Sequence, residues 1–225
     1  AGQVYTPGDL CDVLVAMNAA ALKTQYKYAK SDAVIIIDTD SFKKADLDKA
    51  QFQTEDYLGE MNIDPDRVIQ CPITTMVKDA LADTGMDNKA MLKCRNMFAL
   101  GCIFYMTHKT LDQTFAYLER KFAKKPDVIK LNKAVLTEGY EYADKLEVVH
   151  GHIFEVAHAQ MPKGRYRNIT GNVATAWGLL AASERSGRRL FLGSYPITPA
   201  TDVMVELAKH KSLGARVFQA EDEIA

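Results

Sequence analysis

Residues 33–37 of the chain read Ala33-Val-Ile-Ile-Ile37, an unbroken apolar run in which four side chains are β-branched. Such a run is typical of a strand buried on both faces of a sheet, because a half-exposed strand would alternate apolar with polar side chains. Asp38-Thr-Asp-Ser41 follows at once, and its polar side chains indicate the end of the strand. The run therefore predicts a fully covered strand with a polar carboxyl end.

Two further apolar runs flank this strand along the chain, at residues 11–17 and 67–71. Asn18 stands between the first run and an alanine-rich segment, which predicts an N-capped helix that extends to about Lys30. Another helix is predicted after the second run, over residues 75–83. Strands that alternate with helices predict βαβ units, so the predicted fold class is α/β with a parallel sheet.

The pattern then changes to a helical tail, which is predicted over residues 88–107, 111–123 and 128–144. Residues 148–168 show neither the helical nor the strand periodicity of apolar residues, and we interpret them as a linker. Three histidines of this region could ligate a metal, namely His150, His152 and His158. No carboxylate or cysteine completes that set at helical spacing, so linker or interface histidines are the preferred interpretation.

After the linker the α/β rhythm resumes. An alanine-rich helix is predicted over residues 172–185, with small side chains that would let it pack close to a neighbour. A strand at 189–194, a helix at 199–212 and a strand at 215–219 follow, and another helix is predicted to begin at Glu221.

The bulk composition excludes several classes of protein. The chain has 225 residues, a net charge of −1 and 48% hydrophobic side chains, which suits one large or two modest domains and argues against nucleic acid as the main partner. No apolar run approaches the roughly 20 residues that span a bilayer, and no signal peptide is visible, so we expect a cytoplasmic protein without a membrane partner.

The cysteines and the ends of the chain carry two further expectations. The four cysteines stand singly without a C-x-x-C pair, so no metal or iron–sulfur site is expected from this chain alone. The chain begins Ala-Gly-Gln without an initiator methionine and stops at Ala225, within the predicted last helix. We therefore expect a piece of a longer polypeptide.

Two prolines stand three residues apart in Tyr195-Pro-Ile-Thr-Pro199, directly after a predicted strand. The first proline should end the strand, and Pro199 suits the first helical position, which places Thr198 at the N-cap. A strand–helix turn of this kind lies at the carboxyl end of a parallel strand, where free N–H groups can bind an anion. An equally good interpretation is a rigid turn with a good cap.

Three acidic residues, Glu221-Asp-Glu223, follow the last predicted strand. Acids in the first turn of a helix complement its dipole, and usually they do nothing more. Residues two apart on a helix point about 200° apart, so Glu223 would face inward if Glu221 faced solvent. An inward carboxylate beside an anion-binding turn would have a raised pKa and could exchange a proton with a buried base.

Three segments closely resemble, in order and spacing, the α subunit of 2-oxoacid:ferredoxin oxidoreductases, with the 2-oxoglutarate type nearest. They are Gly171-Asn172 with its alanine-rich helix, Gly193 to Pro199, and Gln219 to Ala225. Residues from about 8 to 147 resemble the second part of the γ domain of the same enzymes, through Asp12-Val-Leu-Val-Ala-Met-Asn18, Cys71-Pro72, Asn96 with Leu100-Gly101, Asn132 and Gly139-Tyr140.

The resemblance implies three segments and a fold for each. Residues 1–147 would be the C-terminal part of a parallel-sheet γ-type domain with a helical tail, and 148–168 the linker. Residues 169–225 would begin the pyrimidine-binding α/β domain of a thiamine-diphosphate enzyme. The glycine-rich opening of the γ domain and the remainder of the α domain are absent from the sequence.

The resemblance also implies an activity. A 2-oxoacid (2-oxoglutarate is preferred over pyruvate), coenzyme A and oxidised ferredoxin would give acyl-CoA, carbon dioxide and reduced ferredoxin. By match to the family motif, Glu223 would hydrogen-bond the aminopyrimidine ring of thiamine diphosphate as the catalytic carboxyl. Thr198 would help to hold the substrate carboxylate or adjoining cofactor atoms, and Tyr195 would line the same pocket.

The chain has no Gly-Asp-Gly motif followed by asparagine, which the diphosphate and metal half of such a site needs. The resemblance implies that a β subunit supplies that half, with Mg²⁺ and the iron–sulfur cluster, so that this chain is inactive alone. The alternative is a non-catalytic α/β docking or scaffold module, in which Glu223 would be exposed. A free-standing nucleotide-binding domain is disfavoured, because no G-x-G-x-x-G follows a strand.

Overall fold

The apolar run at residues 33–37 lies within a ten-residue strand, β2 (Ala29–Asp38). The structure is a computed structural model that describes residues 8–85, 87–157 and 160–224. β2 pairs in parallel with β1 (Cys11–Ala16) on one side and with β3 (Val68–Cys71) on the other, so the strand order is β1-β2-β3. The predicted covered strand is therefore the central strand of a parallel sheet.

Alternate side chains of β2 belong to two different hydrophobic cores. Val34 and Ile36 enter the core on one face of the sheet, whereas Ile35 and Ile37 enter the core on the other. Each of the four is at most 2% exposed. Helices on both faces account for the absence of polar alternation in the sequence, and the α/β fold prediction is confirmed.

The helices over residues 19–150 include the predicted ones, with shifted ends, and three short ones at 44–49, 57–60 and 147–150 that the sequence did not predict. They are α1 (Ala19–Gln25), α2 (Lys44–Lys49), α3 (Tyr57–Glu60), α4 (Ile73–Ala80), α5 (Asn88–Leu92), α6 (Arg95–Met106), α7 (Asp112–Lys121), α8 (Pro126–Lys145) and α9 (Glu147–His150). None of the helices in the described part of the chain is long and apolar enough to cross a membrane.

The start of α1 is as predicted, and its end is not. Asn18 Oδ1 accepts the Ala21 N–H at 2.8 Å, which confirms Asn18 as the N-cap. The helix ends at Gln25 and a short 3-10 turn leads into β2, which already includes Lys30. The predicted extension to Lys30 is wrong because the pairing of Ala29 with Cys11 takes these residues into the sheet.

The predicted helix over residues 88–107 is divided between α5 and α6. At the junction the Cys94 N–H bonds to the Met91 carbonyl at 2.9 Å and the Met97 N–H bonds to the Cys94 carbonyl at 2.8 Å. Both are i→i+3 bonds, so the backbone tightens for one turn before the α-helix resumes. Met91 and Cys94 are buried in the same core as Phe98 of α6, which explains why the sequence pattern runs through the junction.

The helical tail packs through two glycines. A Cβ atom on Gly139 of α8 would lie 2.1 Å from the Phe98 carbonyl oxygen, and one on Gly101 of α6 would lie 2.3 Å from the Leu136 carbonyl oxygen. The Cys102 thiol donates to the Gly139 carbonyl at 3.3 Å. α6 and α8 therefore meet backbone to backbone, at a distance that only glycine allows.

The chain divides into two compact units, Ala1–Met161 and Pro162–Ala225. The division falls inside the segment predicted as a linker, and part of that segment belongs to the first unit: Val149 is buried there, Phe154 packs against the same core, and the Phe154 N–H bonds to the Met106 carbonyl. The predicted domain limits at 147/148 and 168/169 stay predictions. Residues 160–170 are exposed and lack regular secondary structure.

The second unit has a two-stranded parallel sheet with helices before and between its strands. Its elements are α10 (Gly171–Ser186), β4 (Phe191–Ser194), α11 (Thr201–Ala208) and β5 (Arg216–Gln219). Gly193 of β4 pairs with Phe218 of β5. Gly187 ends α10 and Gly214 precedes β5, both with left-handed backbone. At Gly178 an added Cβ atom would meet nothing within 4 Å, so no close neighbour was found for this face of α10 among the described residues.

Candidate functional site

The carboxyl ends of the paired strands β4 and β5 open into a pocket of about 230 Å³. Its lining comes from the end of each strand and the residues just after it: Gly193, Ser194, Tyr195, Phe218, Ala220, Asp222 and Glu223. Open parallel sheets bind ligands at this edge. The lining residues of the pocket include two with hydroxyl groups and two with carboxylates, beside a glycine, an alanine and a phenylalanine.

The structure brings two of the three predicted site residues to this pocket. Tyr195, which is half-buried, and Glu223, which is exposed, both line it. Thr198 is exposed and is not among the lining residues. The roles of all three residues stay predictions.

The turn after β4 is built differently from the predicted N-cap. α11 begins at Thr201, its N-cap residue is Ala200, and no side chain caps it. Pro199 follows a cis peptide bond from Thr198 and is not the first helical residue. Thr201 closes the turn instead: its Oγ1 accepts the Ile197 N–H at 2.8 Å and donates to the Ile197 carbonyl at 2.9 Å. The predicted capping role of Thr198 is wrong because α11 begins three residues after it, at Thr201, with Ala200 as the N-cap residue.

The acidic segment after β5 forms a turn and not a helix in the described residues. Asp222 Oδ1 accepts the Ile224 N–H at 2.9 Å, a local bond of the kind with which aspartate competes against helix formation. Glu221 and Glu223 are both exposed. The prediction of a helix from Glu221, with Glu223 facing inward, is therefore wrong for this chain by itself.

Ser194 and Asp222 also line the pocket, and the sequence interpretation gave neither of them a role in it. Both stand beside a predicted residue, at the point where a predicted parallel strand ends. The rule that the carboxyl ends of neighbouring parallel strands meet could have identified them before the structure was known. Ser194 stays in β4, where the Gln219 pairing fixes its backbone at the edge of the pocket.

Two side-chain hydrogen bonds join α10 to the segment of residues 199–208, which contains α11. Asn172 Nδ2 donates to the Pro199 carbonyl at 2.8 Å, and Trp177 Nε1 donates to Glu206 Oε1 at 3.0 Å. Glu206 also accepts from Lys209 at 2.6 Å and from His210 at 3.3 Å. The bond from Lys209, followed by those from Trp177 and His210, lowers the pKa of Glu206 to about 2.

The polar end of β2 in the first unit is a closed network. Asp38 is fully buried, and its Oδ2 accepts from the Thr74 hydroxyl at 2.7 Å, the Ser41 hydroxyl at 3.2 Å and Arg95 Nη1 at 3.3 Å. Its Oδ1 accepts the N–H groups of Thr74 and Asp40. The carboxylate is therefore satisfied by protein groups, and the predicted polar strand end anchors α4 and α6 to the sheet.

A cavity of about 280 Å³ in the first unit contains several residues of the γ-type resemblance. Its lining is Val15, Met17, Asn96, Ala99, Leu100 and Ile103. One amide on an otherwise apolar surface offers no charge to a carboxylate or a phosphate. We therefore assign no part of the chemistry to this cavity.

No metal site is found in the part of the chain that the structure describes, where no group of three His, Cys, Asp or Glu side chains could hold an ion. His150 Nε2 donates to the Asp144 carbonyl at 2.8 Å, and His152 Nε2 to the Asp66 carbonyl at 3.3 Å. His158 lies outside the described residues. The four cysteines are free thiols.

Comparison with known proteins adds a family and several relatives. The family model of pyruvate ferredoxin/flavodoxin oxidoreductases matches residues 1–142. The 2-oxoglutarate oxidoreductase subunit KorA of Mycobacterium tuberculosis is 39% identical over 223 residues, which are 98% of this chain and 34% of the relative. Subunit alpha of 2-oxoacid:ferredoxin oxidoreductase 1 of Aeropyrum pernix is 27% identical over 167 residues, 71% of this chain and 25% of the relative.

A solved structure is similar over nearly the whole chain. It is the 2-oxoglutarate:ferredoxin oxidoreductase from Magnetococcus marinus with 2-oxoglutarate, coenzyme A and succinyl-CoA bound, at a TM-score of 0.69 and 27% identity. The match covers 99% of this chain and 34% of the solved chain. The chain thus spans about a third of the length of KorA and of the solved protein.

Proposed function

The chain belongs to the pyruvate ferredoxin/flavodoxin oxidoreductase family, and from this premise we propose that it is part of a subunit that oxidatively decarboxylates a 2-oxoacid, with 2-oxoglutarate as the substrate. Coenzyme A receives the acyl group, carbon dioxide leaves, and two electrons pass to ferredoxin. The observation that carries the proposal is the meeting of Tyr195 and Glu223 in one pocket at the carboxyl ends of β4 and β5.

The pocket suits one end of thiamine diphosphate better than the whole cofactor. About 230 Å³ is less than the usual volume of a site for a drug-sized ligand, roughly 300–1,000 Å³. Asp222 and Glu223 would repel a diphosphate, whereas a carboxylate beside the hydroxyls of Ser194 and Tyr195 can hydrogen-bond the polar edge of an aminopyrimidine. We therefore propose that this chain holds the pyrimidine end of the cofactor.

The residues of the chain have separate roles in this proposal. Glu223 holds the aminopyrimidine through a charge-assisted hydrogen bond and keeps a proton available at that ring. Tyr195 lines the same pocket, and the Thr198 hydroxyl, exposed on the turn, is free to meet the substrate carboxylate. Thiamine diphosphate, when bound, would supply the electron sink that decarboxylation of a 2-oxoacid needs.

The other half of the site is proposed to lie on a β-type partner. That partner contributes the diphosphate-binding residues, Mg²⁺ and the iron–sulfur cluster that passes electrons to ferredoxin, so this chain is inactive alone. The exposure of Glu223 agrees with a half-site whose second wall belongs to another chain.

Replacement of Glu223 by glutamine in the assembled enzyme tests the proposal. A lost proton-transfer group lowers kcat by about 100-fold or more. Glu221→Gln is the matched control, because Glu221 is also exposed but does not line the pocket, and it should leave kcat close to wild type. Equal turnover in the two variants would remove Glu223 from the mechanism. A panel of 2-oxoacids tests the choice of 2-oxoglutarate.

The second candidate is a docking or scaffold module without chemistry. The exposure of Glu223 also fits this function, as do Phe191 and Phe218, which are 65% and 56% exposed on the small sheet. The two functions separate in the same experiment. A docking module predicts that Glu223→Gln leaves both assembly and turnover of the complex unchanged.

A further inference from the structure

Two hydrogen bonds join α10 to the segment that contains α11, and they lie at different distances from the pocket. The Asn172 amide reaches the carbonyl of Pro199 in the turn after β4, whereas the Trp177 indole reaches Glu206 inside α11. Both bonds cross between the same pair of segments. One of them holds the turn that leads from the pocket, and the other holds the helix beyond it.

Asn172 is placed for this contact by the start of α10. Thr170 caps the helix by accepting the Val173 N–H, and Asn172 is the second residue of the helix. Its side chain is half-buried and points to the turn. The Pro199 carbonyl also accepts the Asp202 N–H at 3.4 Å, which is a longer bond than the 2.8 Å bond from Asn172.

The turn over residues 195–201 has two kinds of support. Thr201 closes it from within through the Ile197 backbone. In the described part of the second unit, the Asn172 side chain is the one from α10 that hydrogen-bonds this turn. Thr201 can fix the shape of the turn, but a contact with another element is needed to fix its position.

We propose that Asn172 is a positioning residue, which holds the turn between Tyr195 and Pro199 in place at the edge of the pocket and so sets the affinity for the 2-oxoacid. The inference rests on the proposed function for its catalytic consequence. Its structural consequence, the protection of the turn, does not depend on that function.

Asn172→Asp in the assembled enzyme tests the inference. The substitution keeps the size of the side chain and places a carboxylate against the Pro199 carbonyl, while an acid in the first turn of α10 remains favourable for the helix. We expect the KM for the 2-oxoacid to rise about tenfold with a smaller change in kcat, and the Ile197 amide to exchange its hydrogen about tenfold faster. Asn172→Gln keeps the donor and should recover most of the wild-type KM.

Trp177→Phe is the matched control, because it removes the other bond between the same segments. It should lower the melting temperature and leave both the KM and the exchange of the Ile197 amide near wild type. Unchanged KM and exchange in Asn172→Asp would overturn the inference, and so would an equal change of both in Trp177→Phe. A wild-type complex without 2-oxoacid oxidation would instead refute the proposed function, and the exchange measurement would still decide the role of Asn172.

Discussion

Glu206 is a carboxylate whose pKa is strongly lowered by its hydrogen-bond partners. It is 9% exposed and accepts from Lys209, Trp177 and His210, which together lower its pKa from the ordinary 4.5 to about 2. A group whose pKa is lower in the folded protein stabilises the fold above its unfolded pKa. That contribution is lost as the pH falls through 4.5 toward 2.

This linkage gives a pH-dependent prediction for Glu206→Gln. The variant should unfold at a lower urea concentration than wild type at pH 7, because it lacks the charge that Lys209 binds. The difference should shrink between pH 4.5 and pH 2, where Glu206 takes up its proton and resembles glutamine. Urea titrations of both proteins across this range measure it. A difference that stays constant with pH would show that the charge of Glu206 contributes nothing to stability.

The two threonines of the turn after β4 should differ in their contribution to stability. Thr201→Val removes the hydroxyl that serves both backbone groups of Ile197 and should lower the free energy of unfolding by about 1 kcal/mol. Thr198→Val changes an exposed side chain and should cost less than about 0.5 kcal/mol. Urea unfolding of the pair measures the difference. The reverse order would restore Thr198 as the cap that the sequence predicts.

The capping residue could be predicted at the start of α1, but not in the turn after β4, which contains two prolines. Asn18 follows a strand and precedes a helix without a proline between them, so a single position suits the cap. In the turn after β4, Thr198 and Thr201 are both capping residue types, and in the structure it is the Thr201 hydroxyl that bonds the Ile197 backbone. The path of the backbone between Pro196 and Pro199 determines which threonine hydroxyl can reach the Ile197 backbone. That path depends on the bond from Asn172 of α10, which lies outside the local sequence.

At the scale of elements, the crossing of α6 and α8 depends on the absence of two side chains. Gly139→Ala would place a Cβ atom 2.1 Å from the Phe98 carbonyl oxygen, and backbone atoms cannot move aside as a flexible side chain can. We expect a loss of about 1–3 kcal/mol in the free energy of unfolding.

Gly178→Ala is the control for this substitution, because Gly178 is also helical and an added Cβ would meet nothing within 4 Å. It should be neutral or stabilise the protein by up to about 1 kcal/mol, through the better helix propensity of alanine. Chemical denaturation of both variants measures the contrast. Equal stability of the two variants would mean that α6 and α8 can separate without cost.

The types of the main elements could be predicted from the sequence, but several of their limits could not. The β-branched run of β2 and the alanine-rich helix α10 are continuous patterns, and the structure has both. The end of α1 depends on the pairing of β2 with β1. The turn conformation of the acidic segment from Glu221 depends on a local bond in which Asp222 accepts the Ile224 N–H. Both are decided by contacts that compete with local propensity, which a periodic pattern does not record.

At the scale of the whole molecule, the candidate site is confined to the second unit, and the γ-type resemblance covers the first. The position of Tyr195 and Glu223 at one pocket could be predicted, because neighbouring parallel strands bring their carboxyl ends together. The exposure of Glu223 could not, because the relatives are about three times as long as this chain and the sequence does not say which walls other segments supply.

The division into two units makes a prediction about limited proteolysis. Residues 160–170 are exposed and irregular, and they contain Lys163, Arg165 and Arg167. A protease needs a backbone that can enter its active site in an extended form, which exposed irregular segments provide and helices do not. The Arg167 guanidinium lies over the Trp177 ring at 5.1 Å, so trypsin should cut after Lys163 and Arg165 before it cuts after Arg167.

At a low ratio of trypsin to protein, cleavage should therefore occur in residues 160–170 before it occurs in α8, which also contains exposed lysines. Mass spectrometry of the early fragments identifies the cleaved bonds. The double variant Lys163→Gln, Arg165→Gln should slow the cut between the units without changing the rate within α8. Early cleavage inside α8 would contradict the prediction, because it would mean that the helical tail opens more readily than the segment between the units.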